Sequence, residues 1–268
     1  MTTPNHVVTG ATDGIGFETA LQLARHGARV LVHGRTADRS ADACARLRNA
    51  EPRGEFVPVH GDFGKLSDVR ALAKQIADLA PQVDVLVNNA GVFMKTRVET
   101  VDGFETTFQV NHLAPFLLTV LLLPQLKAAR AARVVNVSSM AHARGNVDLE
   151  DLGSRDYDGY GAYASSKLLN VHFTHELARK LEGTKVTTYA LHPGVITTKL
   201  LKTGFGMGGA PLESGAKTSV YCATSPSLEG VTGKYYSDSR EKQAAPQAYD
   251  AALEAKVWAI SERLSRLG

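Results

Sequence analysis

Cysteine is scarce. Cys44 and Cys222 stand far apart with no CxxC spacing, which argues against a disulfide framework and suits a reducing, cytoplasmic setting. No charge of one sign dominates: the formal net charge is +3 over 268 residues, too mild a balance to call for a nucleic-acid partner. Long hydrophobic runs are missing. The longest, Leu113 to Leu123, is broken by Pro115 and Thr119 and falls short of the roughly 18 apolar residues of a membrane span. The opening Met1-Thr2-Thr3-Pro4-Asn5-His6 lacks the basic stretch and apolar core of a signal peptide, so none is expected. The nine histidines form no HExxH or similar array, and no metal is implied.

What remains is an ordinary globular composition, 44% apolar and 21% charged, in a chain long enough for one sizeable core. Short apolar strands alternate with amphipathic helices. Strands are predicted at Val7–Thr9, Val30–Val32, Glu55–Val59, Val83–Val87, Arg133–Val137, Val186–Leu191 and Gly233–Tyr236. Helices are predicted over Glu18–His26, Asp38–Arg48, a stretch capped by Ser67, Gly103–Leu126, Tyr160–Leu181, Glu213–Ala223 and Pro246–Leu267. Strands joined by helical crossovers imply an α/β fold, a doubly wound and mostly parallel sheet with helices on both faces. With no linker or repeat, residues 1–268 read as a single domain. Its least regular stretches, near 140–160 and 197–212, are the expected substrate loops.

The turn Thr9-Gly10-Ala11-Thr12-Asp13-Gly14-Ile15-Gly16 joins the first strand to the first helix. Small residues there let backbone amides approach a pyrophosphate, and the helix N-terminus adds positive partial charge. The spacing is GxxxGxG rather than GxGxxG. At the end of the second strand, where an NAD site places a carboxylate against the ribose hydroxyl, the segment Val32-His33-Gly34-Arg35 carries an arginine. A permanently charged, bidentate guanidinium suits a 2′-phosphate, so NADP(H) is the expected cofactor. Asp13 runs against that preference, because it sits in the glycine turn where some NADP enzymes carry a second basic residue.

Tyr163 and Lys167 stand four residues apart on one predicted helix and so share a face. A tyrosine can exchange a proton with a reacting oxygen if its pKa is drawn toward neutrality, which a neighbouring ammonium promotes. Ser138-Ser139 ends the strand Val134–Val137, at the carboxyl edge where such sheets gather ligands, and a hydroxyl there can stabilise charge on a carbonyl oxygen.

Together these segments resemble the short-chain dehydrogenase/reductase family over nearly the whole chain. Thr9–Gly16 is similar to its TGxxxGIG turn, Asn88-Asn89-Ala90-Gly91 to its NNAG strand end, and Val110-Asn111 to its helix asparagine. Ser139, Tyr163 and Lys167 match its catalytic set, and Pro193-Gly194 through Thr198 its PGxxxT segment. The resemblance implies a Rossmann fold and an NADP(H)-dependent oxidoreductase acting on a small-molecule carbonyl or alcohol. By the same resemblance Tyr163 is the general acid/base, Ser139 orients the carbonyl, Lys167 lowers the tyrosine pKa and Asn111 holds a relay water. The cofactor would meet Gly10, Thr12, Asp13, Gly14, Ile15, Gly16, Arg35, Asp62, Phe63, Asn89, Ala90, Gly91, Val110, Tyr163, Lys167, Pro193, Gly194, Ile196 and Thr198. Relatives often pair through their long helices, so a homo-oligomer is among the expected partners.

Ser139 and Tyr163 are 24 positions apart, longer than the family's commonest spacing. The extra stretch, with Ser139-Met140-Ala141-His142 and Trp258–Glu262, looks like the retinol dehydrogenase-like branch, which tends toward lipophilic carbonyls. Phe93, Met94, Leu200, Leu201, Phe205 and Met207 point the same way. His142 and His192 read as hydrogen-bond partners or structural residues, and Tyr157 and Tyr160 as mouth or packing residues. Other readings are a non-catalytic dinucleotide sensor, which would not need the tyrosine acid, and a reductase of conjugated C=C bonds, which needs the same donors. A nucleotide-sugar epimerase or dehydratase would bring a differently spaced turn and a larger C-terminal region.

Overall fold

The computed structural model describes residues 3–267. In chain order the elements are β1 (Asn5–Val8), α1 (Gly14–Arg25), β2 (Arg29–Gly34), α2 (Ala37–Ala50), β3 (Glu55–His60), α3 (Leu66–Leu79) and β4 (Val85–Asn88). There follow α4 (Thr106–Phe108), a π-helical turn (Gln109–Leu113), α5 (Ala114–Leu121), α6 (Leu123–Ala128), β5 (Ala132–Val137) and a 3₁₀ turn (Met140–Arg144). The long α7 (Gly159–Lys180) leads to β6 (Val186–His192), α8 (Lys199–Phe205), α9 (Leu212–Thr224), β7 (Lys234–Ser237), β8 (Arg240–Lys242) and α10 (Ala251–Leu264).

The sheet has eight strands in the order β3-β2-β1-β4-β5-β6-β7-β8. Every pairing is parallel except the last, β7 with β8. Strand residues alternate between faces as the pleat requires. Val7, Leu31, Val59, Leu86 and Val134 enter one core with α3, α5, α7 and α10. Val8, Val30, Val32, Val87 and Val135 enter the other, with α1, α2 and α9. Burying each such side chain contributes about 1.5–3 kcal/mol, so the sheet is sandwiched by two continuous apolar layers. Chain order reverses between β1 and β4, which opens a crevice at their carboxyl ends.

Helix α10 lies over α5 and α7. Trp258 packs edge-on to Phe116 at 4.9 Å and stacks on Phe173 at 5.9 Å between ring centres. At the two edges of the sheet, β3 carries Pro58 and β8 exposes Arg240, Glu241 and Lys242.

Several expectations need correction. The helix predicted over Gly103–Leu126 is broken into α4, a π turn, α5 and α6, because Pro115 and Pro124 lack the N–H that an uninterrupted helix needs. Ser67 does not cap α3. The helix begins at Leu66, whose N–H is capped from a distance by Asp102 Oδ2 at 2.8 Å. The stretch expected to be irregular contains α8, capped by Thr198 and closed by Gly206 in a left-handed conformation. The terminal helix is split at Asp250, whose carboxylate caps α10.

Candidate active site

The glycine turn after β1 and the Asn89–Gly91 turn after β4 flank the crevice, and they are sewn together. Thr9 Oγ1 accepts from the amides of Asn89 (2.9 Å) and Ala90 (3.1 Å), and Asn89 Nδ2 donates to Thr9 O at 2.8 Å and Gly10 O at 3.2 Å. The approach is so close that a Cβ on Gly16 would collide with the Asn89 side chain and the Gly10 carbonyl. Gly14 takes a positive φ of 60° and looks into open space, Thr198 Cγ2 being 3.8 Å from where its Cβ would be. The first helical amides therefore meet the crevice without a side chain between.

From the other side of the crevice, β5 delivers Ser139 and α7 delivers Tyr163 and Lys167. Ser138 Oγ donates to the Lys167 carbonyl at 2.6 Å, pinning helix to strand. Ser139 accepts from Ala141 N–H at 3.2 Å and its side chain hydrogen-bonds the Tyr163 phenol. Tyr163 is buried, packed edge-on by Phe93 at 5.8 Å. Burial pushes its pKa up to about 12 despite the serine bond. Lys167 is buried as well; its ammonium donates to Val137 O at 3.1 Å, and burial lowers its pKa to about 8. In the chain by itself the tyrosine is thus a firmly protonated phenol.

Asn111 sits in the π turn with its side chain wholly engaged. Oδ1 accepts from Val92 N–H at 2.7 Å, while Nδ2 donates to Val92 O at 2.9 Å and to Ser166 Oγ at 3.0 Å. A Cβ on Gly91 would lie 3.3 Å from both Asn111 Oδ1 and Lys167 Nζ, so this turn, the π turn and α7 meet at one point.

A cavity of about 440 Å³ is lined by Asp13, Gly14, Ile15, Gly16, Asn89, Gly91, Ser139, Tyr163, Lys167, Pro193, Gly194, Ile196 and Thr198. Its outer wall is Met140, Tyr160, Val195, Leu200, Leu201 and Met207. Gly10, Thr12, Arg35, Asp62, Phe63, Ala90, Val110 and Asn111 do not line it. Gly10, Ala90 and Asn111 support it from behind. Arg35 is exposed at the exit of β2, where Gly34 packs so tightly on Thr12 that an added Cβ would lie 2.8 Å from Thr12 Cγ2. Nearby Arg46 is engaged by Thr12 O and Asp42. Phe63 is buried and stacked on His33 at 4.8 Å, which leaves its backbone rather than its ring to meet an adenine. Tyr157 does not reach the cavity; its hydroxyl donates to Met94 O at 2.9 Å. The side chain of Phe205 lies outside the described ones. A larger hollow of about 970 Å³ at the amino ends of the strands contains none of the predicted site residues.

Two contributors were invisible in one dimension. His33 Nδ1 accepts from Gly10 N–H at 3.1 Å and its Nε2 pairs with Gly61 O at 2.9 Å, bracing the glycine turn against β3. Lys199 forms an ion pair with Asp13, a contact that lowers the Asp13 pKa and offsets its charge beside the phosphate turn. The histidine next to Gly34-Arg35 was the available signal for the first. The second depends on α8, which the glycine-rich composition hid.

A dinucleotide crevice facing a Ser-Tyr-Lys group is the constellation of an oxidoreductase. Comparison with known proteins agrees: the short chain dehydrogenase family model matches residues 5–206, and the chain belongs to that family. Retinol dehydrogenase 14 of Mus musculus is 41% identical over 96% of this chain and 84% of its own. Retinol dehydrogenase 12 of Homo sapiens is 41% identical over 95% and 84%. Among solved structures, an uncharacterized protein from Mycobacterium paratuberculosis superposes with a TM-score of 0.83 at 35% identity, covering 98% of this chain and 93% of that one. The Pseudomonas aeruginosa RhlG/NADP active-site complex gives 0.72 at 25% identity over 88% and 94%. No helix among the described residues is long and apolar enough to cross a membrane.

Proposed function

We propose that this chain is an NADP(H)-dependent oxidoreductase that interconverts a carbonyl and an alcohol on a lipophilic small molecule. The observation that carries the proposal is the Ser139–Tyr163 hydrogen bond inside the cavity whose inner wall is the Gly14–Gly16 turn. The residues present fit a dinucleotide. The crevice lies at the reversal of strand order, Gly14 leaves room beside the N-terminus of α1, and Arg35 is exposed without an ion pair among the described residues. A bound nicotinamide supplies or accepts the hydride.

The protein does the rest. Ser139 donates to the substrate oxygen and holds it against the Tyr163 hydroxyl, which gives up its proton as charge grows there. The Lys167 ammonium favours the phenolate so formed, and in oxidation that phenolate takes the alcohol proton and returns to the phenol. Asn111 holds a water through its main-chain carbonyl, to which Pro115 four residues on can offer no N–H. Met140, Tyr160, Val195 and Met207, all at least a third exposed, ring the mouth and favour an apolar ligand over a charged one. RhlG binds NADP in its crystal, which supports the cofactor choice, and two buried free cysteines accord with the cytoplasm. Because Trp258 of α10 already covers Phe116 of α5 and Phe173 of α7, a homo-oligomer is expected to form through another face.

The test follows NADPH and NADH absorbance with a panel of lipophilic aldehydes, ketones and enones, for wild type and Tyr163→Phe in parallel. Turnover with NADPH that falls by about 10²–10⁴-fold in the variant is expected. Equal rates in both proteins would remove Tyr163 from the mechanism, and binding of NADPH without turnover of any compound would favour a sensor.

A further inference from the structure

The peptide unit joining Ser139 to Met140 is gripped at both ends by imidazole rings. Its carbonyl oxygen, that of Ser139, lies 2.6 Å from His142 Nδ1. Its N–H, that of Met140, donates to His192 Nδ1 at 3.2 Å. The far side of the His142 ring settles its tautomer: Ala245 N–H donates to Nε2 at 3.0 Å, so Nε2 is the acceptor and the proton resides on Nδ1. His192 must instead present an unprotonated Nδ1 and carry its proton on Nε2. The two rings are thus neutral and of opposite tautomer, and each bonds one end of a single peptide plane, whose Ser139 carbonyl also accepts from the His142 main-chain N–H at 3.1 Å.

That peptide continues from the Cα of Ser139, which is fully extended at φ −158° and ψ 158°, so holding it helps to hold the Cα from which the serine hydroxyl branches. We propose that His142 and His192 are positioning residues forming one clamp that holds Ser139 against Tyr163, effective only while both rings are neutral. The proposal rests on the oxidoreductase reading above. A shift of the freed peptide that carries the Ser139 Cα with it moves Oγ from the phenol, and misplacement of a reacting group by about 1 Å can cost about 10²-fold in rate.

The surroundings favour neutrality. Burial lowers both pKa values. His142 is wedged against the Tyr235 ring of β7 at 4.9 Å, and the charge of either imidazole opposes that of the other. Asp238, in the β7–β8 turn, pulls the other way on His192. From α7, Tyr163 and Lys167 border the same serine; Arg144, at the end of the 3₁₀ turn, is exposed. Protonation would set His142 Nε2–H against the Ala245 N–H, or His192 Nδ1–H against the Met140 N–H. The first unseats the His142 ring from its support at Ala245 and the second breaks the Met140 bond outright, so the clamp fails as pH falls.

The test combines ¹H–¹⁵N spectra of histidine-labelled full-length protein with pH profiles of kcat for wild type and for His142→Ala, His142→Asn, His192→Ala and His192→Asn. In wild type His142 should appear as the Nδ1–H and His192 as the Nε2–H tautomer, both titrating below the usual histidine value of about 6.5. Each alanine variant should lose about 10- to 100-fold in kcat with KM for NADPH nearly unchanged. Asparagine offers a donor near the Nδ1 place in His142→Asn and an acceptor there in His192→Asn. Those variants should recover most of kcat, and the acid limb should weaken in each because one titrating clamp group is gone. Opposite tautomers, alanine variants with wild-type kcat, or an acid limb unmoved in both asparagine variants would overturn the clamp. If His142→Ala fails to fold, His142→Asn and His192→Ala decide the matter. A wild type that reduces nothing would instead sink the oxidoreductase reading; the tautomer assignment would then uphold or overturn the clamp by itself.

Discussion

The Lys167 ammonium lies 5.5 Å from the centre of the Tyr163 ring, near enough to act on the phenol electrostatically while its own hydrogen bond goes to the Val137 carbonyl. The lysine is therefore anchored to β5 and acts on the tyrosine through space.

Its charge is vulnerable. Burial brings the Lys167 pKa down to about 8, so the ammonium is present below that pH and lost as pH rises through it. A basic limb near 8 in the kcat/KM profile of the cofactor-free enzyme is expected. Lys167→Arg, which cannot lose its charge in this range, should abolish the limb even though its absolute rate is lower. A limb of unchanged position in that variant would assign it to another group.

Arg35 should govern the choice of nucleotide. Its guanidinium is exposed where β2 meets the glycine turn, and a charge-assisted hydrogen bond contributes about 1.5–3 kcal/mol. Arg35→Ala should raise KM for NADPH by about 10- to 100-fold and leave NADH nearly unaffected. Parallel loss with both nucleotides would mean that the arginine supports the turn rather than the 2′-phosphate.

Three histidines couple folding to acid. Burial is the main cause that lowers His6 and His33 to about 4 and His112 to about 3. Each binds its proton more readily unfolded, so stability is complete above about 6.5 and drains away as pH falls toward the native values. His33 alone stands for roughly 3 kcal/mol over that window. Urea midpoints measured from pH 7 to 4 should fall steadily, and His33→Asn should flatten part of the decline. A flat midpoint down to pH 5 would contradict the burial of these rings in the neutral state.

Trp258 fastens α10 to the α5–α7 layer. Removing the ring in Trp258→Ala should cost about 3–5 kcal/mol, visible as a Tm lower by about 10 °C. Trp258→Phe should cost far less, because the indole N–H has no hydrogen-bond partner among the described residues. Similar losses in both variants would show that ring size rather than burial is decisive.

Much of this site was legible in one dimension because its chemistry is local. Tyr163 and Lys167 share a helix face by spacing, and the glycine turn must follow a strand and open a helix. Strand identity was legible for the same reason: Val7, Val30, Val134 and their neighbours form short apolar runs between turn residues. Long-range contacts left no such trace. Asp102 caps α3 from 36 positions away; Ala245 fixes the tautomer of His142 from 103. Phe63 matched a cofactor-contact motif, yet its ring is buried against His33, because a motif position specifies the backbone path and not the side chain's destination. Helix α8 was missed since glycines at 204, 206, 208 and 209 lower helix propensity, while the cap at Thr198 and the stop at Gly206 define it.

The two margins of the sheet bear on how the protein behaves when crowded. On β3 the outermost strand holds Pro58, which lacks a hydrogen to donate to a newcomer, and on β8 the outermost strand shows three consecutive charged residues to water. An incoming β-segment would meet a missing donor on one side and unshielded charge on the other. Eight strands are therefore a terminus rather than a template, and concentrated solutions of the folded chain should resist fibrillar growth from either border.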